Sequence, residues 1–298
     1  METHIVSSAD QHAHYFKTFV RCLADKFQPL KLFCFAKTII ITDTDGGFKE
    51  SGSTYQCNYC LLMVTESQTR IDYEVQDYTN FHYKHGTICI LCHSQDSITE
   101  AIKANNKFFK TVYTSAQLLY SHDGMSNLDF TQNFIPTQAA KKALKHLEHR
   151  MPLAEGFLRG ASECLNKHDF SVSTFLLHQV VEQCCIVLIR VHIAYRSEIH
   201  NLLRMLRLCS SFSDRPLRTF LTGSPDDERL FNILMKSYSG TRYAPNFSVN
   251  ESDAKRLFDR ISNFALLVVE MCDMKIEQLE QEALLYIEHS AGREVEVD

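Results

Sequence analysis

Apolar runs of strand length stop at Tyr120. Before that point short apolar runs alternate with helically spaced segments. After it, each apolar stretch repeats at the three-to-four spacing of a helix. A chain with that switch cannot spread one sheet along its whole length. It is expected to build a mixed α/β layer first and a helical bundle second. The 298 residues leave room for two domains with separate cores. The apolar share of 45% and charged share of 22% are those of a globular chain.

The spacing of Tyr15, Phe16, Phe19, Val20, Leu23 and Phe27 predicts a helix over 12–27, stopped by Pro29. Strands are predicted at 30–41, 59–65 and 87–93, with a short one at 117–120. Helices are predicted at 72–83, 96–104 and 108–116, with Ser94 or Ser97 as the cap of the second. The polar stretch 121–127 breaks the pattern, which puts the boundary near 121–136. Beyond it, helices are predicted at 137–150, 153–167, 171–195, 199–209, 226–239 and 251–283. The polar end from Ala291 is expected to be disordered.

The net charge of −5 gives no overall basic field that would draw the chain onto nucleic acid or an anionic membrane. A local basic face stays open. No basic segment followed by an apolar one marks a secretory signal at the N-terminus. The most apolar runs, 184–189 and 264–269, are closed off by charges well short of a bilayer span. Eleven cysteines without such a signal fit free thiols in a reducing cytoplasm.

Cys57-Asn-Tyr-Cys60 and Cys89-Ile-Leu-Cys92 have the spacing of a four-thiolate zinc site. Both pairs overlap expected strands, where residues three apart point to opposite faces. Buried thiols are therefore expected, with no metal. Cys89–His93 also spells a haem-attachment motif, which needs export to an oxidising compartment. On the helix at 171–195, His178 and Glu182 share a stripe with Phe175, Cys185 and Ile189. Polar groups in an apolar stripe are costly unless paired. Two readings stand: a structural network in which an arginine of a facing helix holds Glu182, and a polar pocket that binds or cuts a ligand.

Tyr59-Cys-Leu-Leu-Met-Val-Thr65, Thr87-Ile-Cys-Ile-Leu-Cys-His93, Lys107-Phe-Phe-Lys-Thr-Val-Tyr113 and Leu118-Leu-Tyr120 carry a resemblance in the first half. Phe175-Leu-Leu-His-Gln-Val-Val-Glu182, Glu198-Ile-His-Asn-Leu202 and Tyr238-Ser-Gly-Thr-Arg-Tyr243 carry it in the second. Taken in order, they resemble bacterial two-domain proteins with a small nucleotidyltransferase-like domain followed by a HEPN domain. The resemblance implies an α+β protein: a mixed-sheet domain over 1–125, a linker helix over 126–150, an up-down helical domain over 151–285 and a flexible acidic tail over 286–298.

An active nucleotidyltransferase would hold Mg²⁺ on two carboxylates one residue apart, since this hard cation takes oxygen ligands. In this chain those places fall on Asn58 and Cys60. The Gly-Ser loop expected after the first strand is also missing. Catalytic HEPN domains resemble metal-independent ribonucleases with an arginine and, four to six residues on, a histidine. Arg242 matches the arginine. No histidine follows it, and Pro245 would stop a helix there.

The expectation is a non-catalytic protein, with no cofactor, that binds a nucleotide or RNA. His178, Glu182, His200, Arg242 and Tyr243 would line the ligand site or a polar network. Arg196, Arg204 and Arg207 would contact phosphates; a solvated helix face accounts for them equally well. The expected partners are a second copy, met through the helical domain, and a nucleotide or RNA. Two alternatives stand beside this. One is a HEPN ribonuclease with a rearranged site that uses His178 or His200; the other is a protein-interaction partner in a toxin–antitoxin or defence pair.

Overall fold

The fold is that of a computed structural model, which describes residues 8–48, 52–124 and 133–295. The chain divides into two units; the first ends at Phe134 and the second begins at Ile135.

The first unit runs α1 (Ser8–Phe27), β1 (Lys31–Thr44), β2 (Gly52–Thr65), α2 (Asp72–His82), β3 (Gly86–Ser94), α3 (Gln95–Lys103), α4 (Lys107–Ser115) and β4 (Gln117–Ser121). The strands form one sheet in the order β3-β2-β1-β4. β1 is antiparallel to β2 and β4, and β2 is parallel to β3. The parallel pair needs a crossover, and α2 supplies it. β1 and β2 are longer than expected. They pair from Lys31↔Val64 to Thr44↔Gly52, well past the stretches joined to β3 and β4.

Alternation along β2 sorts its side chains between two faces. Cys57, Tyr59, Leu61 and Met63 join Leu32, Ile88, Ile90 and Cys92 in a core with Phe19 and Leu23 of α1 and Val75 of α2. Cys60 lies beside Cys89 in the register and is absent from that core. The two CxxC pairs therefore split across the sheet. Among the described residues no three His, Cys, Asp or Glu side chains gather as metal ligands. Burial, with Cys89 and Cys34 nearby, pushes the Cys60 thiol well up, which keeps it protonated rather than a reactive thiolate.

β3 is an edge strand, and α2 closes its open side. Gln76 Nε2–H donates to Ile88 O at 2.8 Å, while its Oε1 accepts from Ile90 N–H at 3.1 Å. Asp72 Oδ1 accepts from Cys92 N–H at 3.2 Å. Ser94, not Ser97, caps α3, accepting from Ser97 N–H.

The second unit is helical throughout: α5 (Ala139–Asn166), α6 (Phe170–Ile193), α7 (Leu202–Cys209), α8 (Arg215–Phe220), α9 (Pro225–Tyr243) and α10 (Glu251–Val295). Three expectations are corrected. The break near residue 150, which would have separated a linker helix from the helical domain, does not occur. α5 passes through Pro152, which forfeits one intrahelical hydrogen bond while the neighbouring turns carry the helix on. α8, only six residues long, was too short for a periodicity to register. The segment from 286 is helical as far as Val295, because it continues the long helix begun at Glu251 and adding a turn to an existing helix is far less costly than starting one, and residues 296–298 lie outside the described range.

α6 is the centre of the unit. Leu177, Val180, Val181, Cys184, Val187, Leu188 and Ile189 are all fully enclosed. α6 is also long and apolar enough to cross a membrane, with mean hydropathy 1.7 over its best window, but 72% of that window is buried within the protein. That places it as a core helix. Ala154 and Ala161 on α5 let the two helices approach, and Ser173 Oγ donates to Ala161 O at 2.8 Å where they cross.

α9 is tied to α10 by charge. Arg229 forks onto Asp253, with Nη1–Oδ2 2.7 Å and Nη2–Oδ1 2.8 Å. Asn250 Oδ1 accepts from Asp253 N–H at 2.8 Å at the start of α10, the N-cap arrangement. Arg260 reaches Asp227 at 2.7 Å, and Asp226 pairs with Arg229 and Arg256.

One backbone position fixes the β2–β3 pairing. Gly86 has φ +139, and a Cβ there would lie 1.9 Å from the Cys57 carbonyl oxygen. Gly86→Ala is expected to cost at least about 1 kcal/mol, because the substitution meets both a disfavoured φ and a backbone clash. Chemical denaturation checks this, and an unchanged midpoint would contradict the register Cys57↔Gly86.

Candidate functional site

Polar residues on two neighbouring turns of α6 meet side chains from α9 and from the segment before α7. His178 and Glu182 are four apart on one helix face, about 6 Å along the axis.

The first group forms where the last turn of α9 packs on α6. Gly240 makes this packing feasible: a Cβ there would be 2.6 Å from the Phe247 ring, so the chain after α9 folds closely back on its final turn. Thr241 Oγ1 donates to Ser171 O at 3.2 Å, and Val249 N–H donates to Ser171 Oγ at 3.2 Å. Arg242, held at this end, donates from Nε to Tyr238 O at 2.7 Å. Its guanidinium lies 4.0 Å from the Tyr238 ring centroid, 4.9 Å from that of Tyr243 and 5.8 Å from that of Phe175. Such contacts hold a cation without neutralising it. Among the described residues no carboxylate pairs with Arg242. Tyr243 is 75% exposed.

His178 lies beneath this group. Its ring stacks on Tyr238 at 5.0 Å, and Gln179 Nε2 donates toward its Nδ1 at 3.4 Å. Burial, then the Arg242 charge, pushes the imidazole down from 6.5 to about 4. His178 is therefore neutral at pH 7 and closed off from solvent.

The second group is a dyad. His200 Nδ1–H donates to Glu182 Oε1 at 2.8 Å; the carboxylate side chain is 8% exposed and the imidazole 66%. This corrects the expectation that an arginine holds Glu182. The turn before α7 delivers His200 first, and Asn201 then caps α7 through Arg204 N–H at 3.0 Å. Just behind, the thiols of Cys185 and Cys209 contact each other, both fully enclosed.

The residues expected to contact phosphates do not form one exposed row. Arg196 is exposed and Arg207 half-buried, while Arg204 is buried at 7% exposure, turned into the unit by the apolar face of α7. Sequence reasoning missed the part played by Phe175, which meets Tyr238 and Arg242 of α9 only once the helices pack. Tyr238, four residues before Arg242 on the same helix, was legible from spacing.

Residues 147–272 match the family profile described as HEPN domain, and this part of the chain is a HEPN domain. The match runs from within α5, through α6 to α9, into the first half of α10, so it takes in both groups. No curated protein matches the chain.

His178 sets an expected pH response. The unfolded chain takes up this proton near 6.5, the folded one only near 4, so the unfolded state binds more protons between these values. Stability therefore falls as pH drops from about 6.5 toward 4, by at most about 3 kcal/mol from this group. His192, also held at about 4 by burial and then Lys275, acts in the same window. The paired Asp226, held at about 2, adds its loss only at lower pH. Thermal melts of His178→Phe between pH 7 and 4.5 should show a shallower decline than the wild type; parallel curves would mean that His178 is not buried neutral.

Proposed function

We propose that the helical unit binds RNA or a nucleotide without cutting it, and that the first unit is an inactive nucleotidyltransferase-like scaffold or regulator. The carrying observation is Arg242: an exposed guanidinium held by three aromatic rings, without a carboxylate partner among the described residues. A fixed, unneutralised guanidinium suits a phosphate oxygen, and the exposed Tyr243 ring suits a base face. The HEPN match is consistent with a nucleotide- or RNA-related role.

The non-catalytic part rests on chemistry. His178 is neutral, but it is enclosed and already in contact with Tyr238, so a ribose hydroxyl has no route to it. In the first unit, Asn58 Oδ1 accepts from Thr87 Oγ at 2.6 Å and Cys60 is buried. Neither side chain is a hard anionic ligand for Mg²⁺. The helical unit is proposed to pair with a second copy, as the resemblance implies.

A second reading has its own observation. An exposed imidazole oriented by a buried carboxylate is the arrangement of a general base and its positioning partner. Under that reading His200 takes a proton from the attacking hydroxyl, Glu182 holds the ring, and Arg242 binds the phosphate.

Labelled RNA incubated with the full chain in EDTA separates the two. The binding reading expects intact RNA and an affinity lowered about tenfold by Arg242→Ala. Metal-independent cleavage, lost in both His200→Ala and Glu182→Gln, would establish the nuclease instead. RNA and mononucleotides left unbound and uncut by the wild type would remove both readings.

A further inference from the structure

Fifteen residues of α6 separate Phe175, beside Arg242, from Arg190 near the helix's far end, about 22 Å at 1.5 Å per residue. Gln179, Gln183 and Ile186 fall between them as a half-buried strip. At the Arg190 end the helix is interlocked with α5 through cations. Arg190 Nε–H donates to His146 Nε2 at 3.1 Å, and Arg150 Nη1–H donates to Gln183 Oε1 at 2.8 Å. Neither acceptor is a carboxylate.

Half-buried charges are ordinarily paired with an opposite charge. Here, among the described residues, no carboxylate lies within ion-pair distance of the half-buried Arg150 and Arg190, or of the exposed Arg196 beyond them. The crowding is visible in Arg190, whose pKa is lowered by burial and then by the charges of Arg196 and Arg150. His146 is lowered likewise, by burial and then by Arg190 and Arg150. The C-terminal end of α6 offers about half an elementary negative charge, against three guanidiniums. The cluster is short of an anion. Arginine forks match the oxygens of phosphate in geometry as well as charge.

We infer that Arg150, Arg190 and Arg196 form a phosphate-binding site, occupied by the backbone of the same RNA strand that engages Arg242. This deepens the reading under Proposed function and rests on it for the strand, though not for the site. The ligand is then an extended single strand of several nucleotides, laid along the strip of α6, rather than a mononucleotide. The two glutamines between the ends suit sugar and phosphate oxygens.

The test uses the full chain, a short labelled oligouridylate followed by fluorescence anisotropy across a salt series, and calorimetric titration with inorganic phosphate. Arg196→Glu changes an exposed side chain and is expected to weaken the oligouridylate about tenfold or more. Arg190→Gln is expected to lower the slope of log affinity against log salt by about 0.7, one phosphate contact on a single strand. If Arg196→Glu abolishes phosphate binding but leaves the oligouridylate unaffected, the site stands and its occupant is a free phosphate. If Arg242→Gln has no effect on the oligouridylate while Arg196→Glu weakens it, the site stands and the reading built on Arg242 falls. The inference is overturned if both Arg196→Glu and Arg190→Gln bind both probes as the wild type does, or if the wild type binds neither.

Discussion

The helical unit depends on the enclosure of α6. Its apolar side chains lie against α5, α7, α9 and α10, so the surrounding helices take their positions from it. Burying a side chain of this kind contributes roughly 1.5–3 kcal/mol, which makes the run of valines, leucines and cysteines the main cohesive force of the unit. An element enclosed so fully leaves little freedom for the polar residues it carries. Each must be satisfied where it stands. Ser173, Thr174, His178 and Glu182 are each satisfied locally, by a carbonyl, an amide or an imidazole.

The candidate site is a by-product of that discipline. Glu182 is inside because α6 is inside, and it retains a polar partner because the turn before α7 brings His200 to it. Arg242 is outside because α9 ends there, one turn past the serine at 237 whose hydroxyl is within reach of Thr174 O. The two groups lie along α6 without a direct bond between Arg242 and the Glu182–His200 pair among the described residues.

Much of the architecture was legible because period carries it. The change from strand-length runs to helical spacing separates the sheet from the bundle, and the fate of the two CxxC pairs follows from alternation alone. The errors fall where period is silent. Pro152 reads as a stop, yet a long helix carries it. Six residues of α8 are too few to show a repeat. The tail beyond 286 reads as polar, but propagation from the long helix before it carries it as far as Val295. At the site, spacing placed His178 and Glu182 on one face. It could not say that His200, eighteen residues away, would be the partner of Glu182. Nor could it say that Arg204 turns inward while Arg190 and Arg150 meet across α5 and α6. Those are facts of tertiary packing.

The clamp of α2 on the rim of the sheet has a consequence for how the first unit opens. Gln76 occupies both a carbonyl and an amide of β3, and Asp72 a further amide, so three groups of its ladder are already taken and the edge is less open to another chain. The same bonds mean that β3 cannot peel from β2 while α2 stays in place. Amide protons of β2, α2 and β3 are therefore expected to exchange with solvent as one cooperative block, and the long β1–β2 ribbon beyond it, flanked by neither β3 nor β4, to open separately.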